Sequence, residues 1–202
     1  MINWSVELSD KRLTTVYPSE RKITVCRDRT FAKIDSERLS VHEVGVHVLR
    51  YVNGYEQPLK IFALGLPGYL STEEGLTSYF EELTGNASEE TMRDYAARVI
   101  AVDSVCGDLD FKQTFERLKE YDLTNGQAWN LAVRVHRAGG YIKDHVYLDG
   151  NRKVKEFVEK EGDLHALYAG TIGIEDLPFV RKLTHEGILR EPKYKPWFLQ
   201  KA

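Results

Sequence analysis

The run Val41–His47 places two imidazoles and a carboxylate among valines, and it restricts the possible folds more than any other stretch. We predict a helix over residues 37–52, because Asp35–Ser36 is a helix-start signal and Asn53–Gly54 is typical of a C-cap. Burying these polar side chains in an apolar helix is costly unless they have partners. A zinc ion bound by both histidines would be such a partner, with the glutamate as a general base.

The spacing of the two histidines predicts that this helix is not regular. His42 and His47 are five residues apart, about 140° around an ideal helix, whereas the common His-Glu-x-x-His pattern separates them by about 40°. Both rings can reach one ion only if the helix is locally widened, and such π-bulges often occur at functional sites. Gly45, between the histidines, would ease the distortion. The alternative is two unrelated histidines in a core helix.

A third ligand is expected downstream, since a catalytic zinc commonly has three protein ligands and one open position. Glu73 and Glu74 are both candidates, and their spacing alone does not separate them. Glu74 also has an explanation without a metal. Ser71 and Glu74 stand in the relation of a capping box, with Ser71 as the N-cap of a second helix.

Several separated motifs occur together in one order along this chain. They are His42–His47, Asn53–Gly54, Gly65–Tyr69, Glu73–Thr77, Arg134–Arg137, Lys143–Leu148 with Gly150, and Pro192–Tyr194. From about residue 22 onward the chain thereby resembles the family that contains the microtubule-associated tyrosine carboxypeptidases. Bacterial members of that family are often labelled flavohaemoglobin expression-modulating QEGLA-motif proteins.

The resemblance implies an activity and a set of metal ligands. Glu73 stands where the family carries Gln, so the implied third ligand is Glu74, which joins His42 and His47 in holding one zinc ion per chain. Glu43 is the implied general base for a zinc-activated water. The implied reaction is hydrolysis of the C-terminal residue, tyrosine or another aromatic, of a protein or peptide. In the animal relatives that substrate is α-tubulin.

A basic region near residue 140 is the candidate for substrate binding. Arginine or lysine in a cleft can bind a free C-terminal carboxylate by charge-assisted hydrogen bonds, and the candidates are Arg134, Arg137 and Lys143. Tyr147 could donate to the oxyanion of the tetrahedral intermediate. The alternative is a solvated helix face. Ala138 and Tyr141–Ile142 depart from the family pattern, which leaves the preferred side chain open.

The predicted fold class is α+β and mostly α, in a single metallopeptidase domain covering residues 1–202. A small antiparallel sheet within residues 1–35 precedes a helical, gluzincin-like zinc-peptidase core over 36–202. The predicted strands, with a turn at Pro18–Arg21, are 4–8, 13–17 and 22–26. An edge strand of this sheet could pair with an extended substrate, although a merely stabilising hairpin is the alternative.

Capping and glycine signals predict a series of helices after the motif helix. Their expected ranges are 71–83, 88–106, 110–121, 124–137, 142–160, 163–170 and 175–186. A stop signal at Gly139–Gly140 ends the fourth of these, and an extended tail is expected over 192–197.

Composition and net charge bear on which partners are expected. The net charge is −3, which gives no indication of nucleic acid or of an acidic membrane as a partner. No apolar run approaches the length of a membrane span. Cys26 and Cys106 lack metal-type spacing and are expected to be core thiols of an intracellular protein. We therefore expect a cytoplasmic protein whose partner is a protein or peptide C-terminus.

Two other functions remain open on the sequence. One keeps the zinc chemistry but makes the enzyme an endopeptidase or an aminopeptidase. The other is a non-enzymatic metal-binding interaction module whose site is a relic. The presence of Glu43 beside all three candidate ligands speaks against the second, because a relic is free to lose any of the four.

Overall fold

A small sheet at the start of the chain is followed by helices, in a computed structural model that describes residues 3–11, 14–137 and 143–201. The strands are β1 (Ser5–Ser9), β2 (Thr15–Tyr17) and β3 (Lys22–Cys26). A 3₁₀ turn over Pro18–Glu20 joins β2 to β3, where Pro18 pre-sets the backbone at the start of the turn. The predicted strands and their turn are confirmed.

The sheet is mixed, so the prediction of an antiparallel sheet is wrong. The strand order is β1-β3-β2, with β2 antiparallel and β1 parallel to β3. The tight turn specifies only the pairing of β2 with β3, and this pairing uses one edge of β3. The other edge is left for β1, which crosses over and runs in the same direction as β3. β2 is therefore an edge strand.

The motif helix is continuous but contains a long π-helical segment. It consists of α1 (Lys33–Leu39), the π segment (Ser40–Val48) and α2 (Leu49–Glu56). The predicted distortion is thus confirmed, and it spans both histidines. The helix starts at Lys33, four residues earlier than predicted, because Asp35 lies at its third position and accepts a hydrogen bond from the Ala32 backbone N–H at 3.3 Å.

The predicted C-cap at Asn53–Gly54 is wrong, because the helix continues to Glu56. The Asn53 side chain serves a tertiary contact instead. Its amide donates to the carbonyl of Tyr194 at 2.7 Å and accepts from the N–H of Tyr194 at 2.9 Å. These two bonds attach the tail of the chain to the motif helix.

The remaining helices follow the predicted order, except that the first of them, a short helix over Ile61–Leu64, was not predicted. They are α3 (Ile61–Leu64), α4 (Tyr69–Leu83), α5 (Glu89–Cys106), α6 (Phe111–Lys119), α7 (Asn125–His136), α8 (Val146–Glu159) and α9 (Leu177–His185). The predicted helix starts at Ser88, Asp110 and Thr124 are confirmed, because each of these residues is an N-cap that accepts a hydrogen bond from the backbone of the first turn. Gly139–Gly140 lies outside the described residues.

Two expectations about helices are wrong. Helix α4 begins at Tyr69 after Gly68, so Ser71 is not its N-cap and Glu74 takes no part in a capping box. Residues 163–170 contain only a 3₁₀ turn, Ala166–Ala169, and the tail ends in another, Trp197–Lys201. Because Glu74 does not cap α4, other contacts must account for the burial of its side chain.

Helix α4 lies between the π segment and α8, and among the described helices it carries the largest share of the buried polar residues. One apolar core joins the motif helix, α4 and the C-terminal region through residues such as Val46, Phe80 and Tyr168. A second, separate core holds α5, α6 and α7 together. Both cysteines are free thiols; Cys26 is buried as expected, but Cys106 is exposed. Among the described helices, none combines the length and apolarity needed to cross a membrane.

Two glycines allow α4 and α8 to touch through their backbones. A Cβ atom at Gly75 would lie 2.4 Å from the carbonyl carbon of Gly150, and one at Gly150 would lie 2.1 Å from the carbonyl oxygen of Ser71. Backbone atoms cannot move aside as the end of a flexible side chain can. The contact therefore excludes any side chain at either position.

We expect Gly150→Ala to reduce the free energy of unfolding by about 1–3 kcal/mol or more, because overpacking forces the two helices apart. Gly126→Ala is the matched control, since Gly126 also lies in a helix but its added Cβ meets no atom within 4 Å. Its stability should be unchanged or raised by up to about 1 kcal/mol from helix propensity. Urea unfolding measures both variants, and equal stability of the two would contradict the close contact.

Candidate metal centre and substrate cleft

The π segment brings the two predicted histidines to one side of the motif helix. The ring centroids of His42 and His47 are 5.0 Å apart. The Nε2 atom of each ring lies 3.9 Å from the same carboxylate oxygen, Oε2 of Glu74 on α4. The structure therefore places His42, His47 and Glu74 around one small volume.

The donor set fits a cation. Oε2 of Glu74 is buried and has no hydrogen-bond partner in the described part of the chain, although an unpaired buried carboxylate oxygen is costly. Zinc binds imidazole nitrogen and carboxylate oxygen at about 2.0–2.2 Å, so two of its ligand atoms can be at most about 4.4 Å apart. The two distances of 3.9 Å meet this condition.

Glu43 lies in the same group of donors. One ligand atom each from His42, Glu43 and His47 lies within 4.8 Å of the others. This alternative triad differs from the first only in its carboxylate. Glu74 is the better third ligand, because its oxygen is unpartnered and is equally distant from both Nε2 atoms. Burial raises the pKa of Glu43 despite the two imidazoles, which is favourable for a general base.

Each of the two histidines is oriented by its own glutamate of α4, in addition to facing Glu74. Nδ1 of His47 lies 2.7 Å from Oε1 of Glu73, and Nδ1 of His42 lies 2.8 Å from Oε1 of Glu81. These contacts leave both Nε2 atoms directed towards Glu74. Carboxylates in this position commonly fix the ring orientation of metal-binding histidines.

A buried arginine, a partly buried arginine and a hydroxyl support these two glutamates. Arg50, fully buried, donates to Glu73, while Glu81 accepts from Arg38 at 3.2 Å and from the Tyr95 hydroxyl at 2.9 Å. Burial alone would raise the pKa of Glu73, but Arg50 and His47 outweigh it and hold that pKa below its usual value. Burial likewise opposes ionisation of Glu81, and its partners also lower its pKa.

The site as a whole attracts positive charge. Burial disfavours the charged form of His47, but the hydrogen bond with Glu73 and the charges of Glu73, Glu74 and Glu43 outweigh it. Together they raise the pKa of His47 to about 9. A divalent cation would be stabilised by the same carboxylates.

The sequence reasoning did not identify Arg50, Glu81 or Tyr95, and it considered Glu73 only as an alternative metal ligand, not as a partner of His47. One signal was available for the glutamates. Glu74 and Glu81 are seven residues apart, so they lie on nearly the same face of a helix. Arg50 carried no such signal, because its contacts are with residues distant in sequence.

A cleft of about 660 Å³ opens over these residues. Its walls include Thr14–Val16, at the edge strand β2, and Tyr69 of α4. All the sequence-predicted substrate-binding candidates, together with Tyr147, also line this cleft: Arg134, Arg137, Lys143 and Tyr147. The predicted site residues therefore form one continuous region.

The three predicted substrate-binding cations differ in their availability. Arg134 makes two hydrogen bonds of 2.6 Å to the carboxylate of Asp144, so its guanidinium is already occupied. Arg137 and Lys143 are exposed, and neither has a carboxylate within 4 Å among the described residues. The two departures at Ala138 and Tyr141–Ile142 lie outside the described residues.

Tyr147 extends from the start of α8 into the cleft. Its ring stacks on Tyr95 with centroids 5.1 Å apart, and the guanidinium of Arg98 lies 4.8 Å from the centre of the Tyr147 ring. Burial, followed by the charge of Glu74, raises the pKa of Tyr147. The hydroxyl therefore stays protonated and can act as a hydrogen-bond donor at neutral pH.

Comparison with known proteins agrees with the resemblance seen in the motifs. The model of a family described as microtubule-associated tyrosine carboxypeptidase matches residues 2–202. Microtubule-associated tyrosine carboxypeptidase 1 of Mus musculus is 32% identical over 120 residues, covering 54% of this chain and 25% of that protein.

Two further relatives match over a longer part of the chain. The proteins named microtubule-associated tyrosine carboxypeptidase 1 in Rattus norvegicus and Homo sapiens are each 28% identical over 170 residues, covering 79% of this chain. The match covers 35% of each relative, so the chain spans between a quarter and about a third of the length of these proteins. Because the family model covers nearly the whole sequence, the chain belongs to the microtubule-associated tyrosine carboxypeptidase family.

Proposed function

We propose that this chain is a zinc-dependent metallocarboxypeptidase that removes a C-terminal residue, tyrosine or another aromatic, from a protein or peptide. The observation that carries the proposal is the unpartnered oxygen of Glu74, 3.9 Å from Nε2 of both His42 and His47. Family membership supports the carboxypeptidase class. A cytoplasmic location goes with this proposal and stays a prediction.

His42, His47 and Glu74 would hold one zinc ion. When bound, zinc supplies a Lewis acid that polarises the scissile carbonyl and acidifies a water molecule. Glu43 accepts the proton of the attacking water, because its raised pKa brings it closer to neutrality than an ordinary glutamate. The same carboxyl group then returns that proton to the leaving amine.

Tyr147 is suited to stabilise the oxyanion. Its protonated hydroxyl belongs to the cleft that His42, Glu43 and Glu74 also line. A donor held in place before the reaction stabilises developing negative charge without reorganisation. The stack on Tyr95 holds the ring of Tyr147, and Tyr95 donates to Glu81, which orients His42.

Arg137 and Lys143 would bind the free carboxylate of the substrate. Both line the cleft and are exposed. Arg134 has a different role in this proposal, since its bidentate pair with Asp144 holds the residue next to Lys143 in place. The edge strand β2 also borders the cleft, and an extended peptide could add to the sheet there.

We expect Glu43→Gln to retain about one zinc ion per chain and to lose peptidase activity by about 10²- to 10⁴-fold, because the amide cannot accept a proton. Metal analysis of protein purified without a histidine tag, combined with peptide cleavage, measures both. Cleavage at the parental rate would show that Glu43 is not the base.

We expect Glu74→Ala to lose zinc, because it removes the third ligand. Glu73→Ala should keep the ligand set but reduce zinc affinity by about 10- to 100-fold, since His47 loses the carboxylate that orients it. Glu82→Ala is the control on the same helix, where Glu82 pairs with Lys155 instead. Competition with a chromogenic chelator measures the affinities, and zinc binding by Glu74→Ala equal to that of the control would exclude Glu74 as a ligand.

We expect a peptide ending in free tyrosine to be cleaved at its last bond, and its C-terminal amide to be cleaved about 10- to 100-fold more slowly. The amide loses a charge-assisted hydrogen bond, worth about 1.5–3 kcal/mol. Lys143→Met or Arg137→Met should remove most of this preference. Lys182→Met is the control, because Lys182 is an exposed cation on α9 that pairs with Glu186. This variant should keep the preference for the free acid.

Mass spectrometry at matched peptide concentrations gives both the rates and the bond that is cut. Equal cleavage rates on the free acid and the amide would contradict the carboxypeptidase assignment and favour an endopeptidase. Cleavage from the amino end would make it an aminopeptidase. Zinc binding without any cleavage would favour an interaction module.

A further inference from the structure

Gly45 lies in the π segment, between His42 and His47 in the sequence. In a regular α-helix its backbone carbonyl would accept the backbone N–H of Leu49, four residues later. Here the N–H of Leu49 is directed instead to the carbonyls of Val44 and Val46. The widened turn therefore removes the usual partner of Gly45.

A side chain from a distant part of the sequence takes the place of that partner. The hydroxyl of Tyr168, in the 3₁₀ turn Ala166–Ala169, donates to the carbonyl oxygen of Gly45 at 2.8 Å. Tyr168 is fully buried in the main core. Burial raises its pKa, so the hydroxyl is a permanent donor.

The Cα of Gly45 is covered by the tail of the chain. A Cβ atom at this position would lie 2.5 Å from Cε1 of Phe198. The ring of Phe198 is also in contact with Phe80, with centroids 4.8 Å apart. The widened turn is thus held at one residue by a hydrogen bond to its carbonyl and by a ring packed where a side chain would be.

We propose that Tyr168 is a positioning residue that stabilises the π form of the motif helix through the Gly45 carbonyl. The alternative α form would satisfy this carbonyl within the helix but would turn His42 and His47 about 140° apart. π-helices are rare without external support. The hydroxyl of Tyr168 therefore favours the one conformation in which both imidazoles face Glu74.

The proposal rests on the proposed zinc site, and its test is the affinity of the purified protein for zinc. We expect Tyr168→Phe to fold and to bind zinc at least about tenfold more weakly, because part of the population no longer has the π form. Tyr79→Phe is the matched control. Tyr79 packs against the same core, and its hydroxyl has no hydrogen bond among the described residues.

Chelator competition, at a temperature where circular dichroism shows each variant folded, separates the outcomes. Weaker binding by Tyr168→Phe alone supports the proposal. Parental affinity in Tyr168→Phe, or equal loss in both variants, overturns it. Absence of zinc binding in the parental protein overturns the proposed function instead. If Tyr168→Phe fails to fold while Tyr79→Phe folds, Tyr168 is required for the fold as a whole and not for the geometry of the site, and this outcome also overturns the proposal.

Discussion

Burial of negative charge is the constraint on which the interior of this protein depends. Four carboxylates surround the two imidazoles, three of them from α4, and none is well exposed: Glu43, Glu73, Glu74 and Glu81. Such groups are tolerated only when they are neutral, paired or bound to a cation. Two are paired, and Glu43 has a raised pKa. The unpartnered oxygen of Glu74 is what distinguishes the site from an ordinary buried ion network.

Arg50 connects this charge to the rest of the fold. Besides pairing with Glu73, its guanidinium donates to the carbonyl of Leu167, within the turn that carries Tyr168, and to that of Ile172, shortly after the turn. One buried cation thus attaches the second half of the motif helix to both α4 and the C-terminal region. The position of His47 depends on contacts that span more than a hundred residues of sequence.

Local signals in the sequence predicted much of the structure. The five-residue spacing of His42 and His47 required a widened helix, and the helix caps Ser88, Asp110 and Thr124 act through neighbours a few residues away. These predictions succeeded because their physical cause is local. The same reasoning brought His42, His47 and Glu74 together only with the help of the family resemblance.

The errors have a common physical origin in contacts between distant residues. The parallel pairing of β1 depends on a free edge of β3, and no local pattern encodes it. Asn53 resembled a helix end but binds Tyr194, and Ser71 resembled an N-cap although α4 starts at Tyr69. Glu81 and Arg50 acquire their roles only when α4 and the motif helix come together.

The glycine contact between α4 and α8 has a consequence for the accuracy of the site. Gly75 directly follows Glu74 in sequence, and Gly150 lies one turn after Tyr147. The spacing between the backbone positions of Glu74 and Tyr147 is therefore set by main-chain atoms in direct contact. Such a spacing does not depend on side-chain rotamers, so substitutions elsewhere in the walls of the cleft leave these two positions at the same separation.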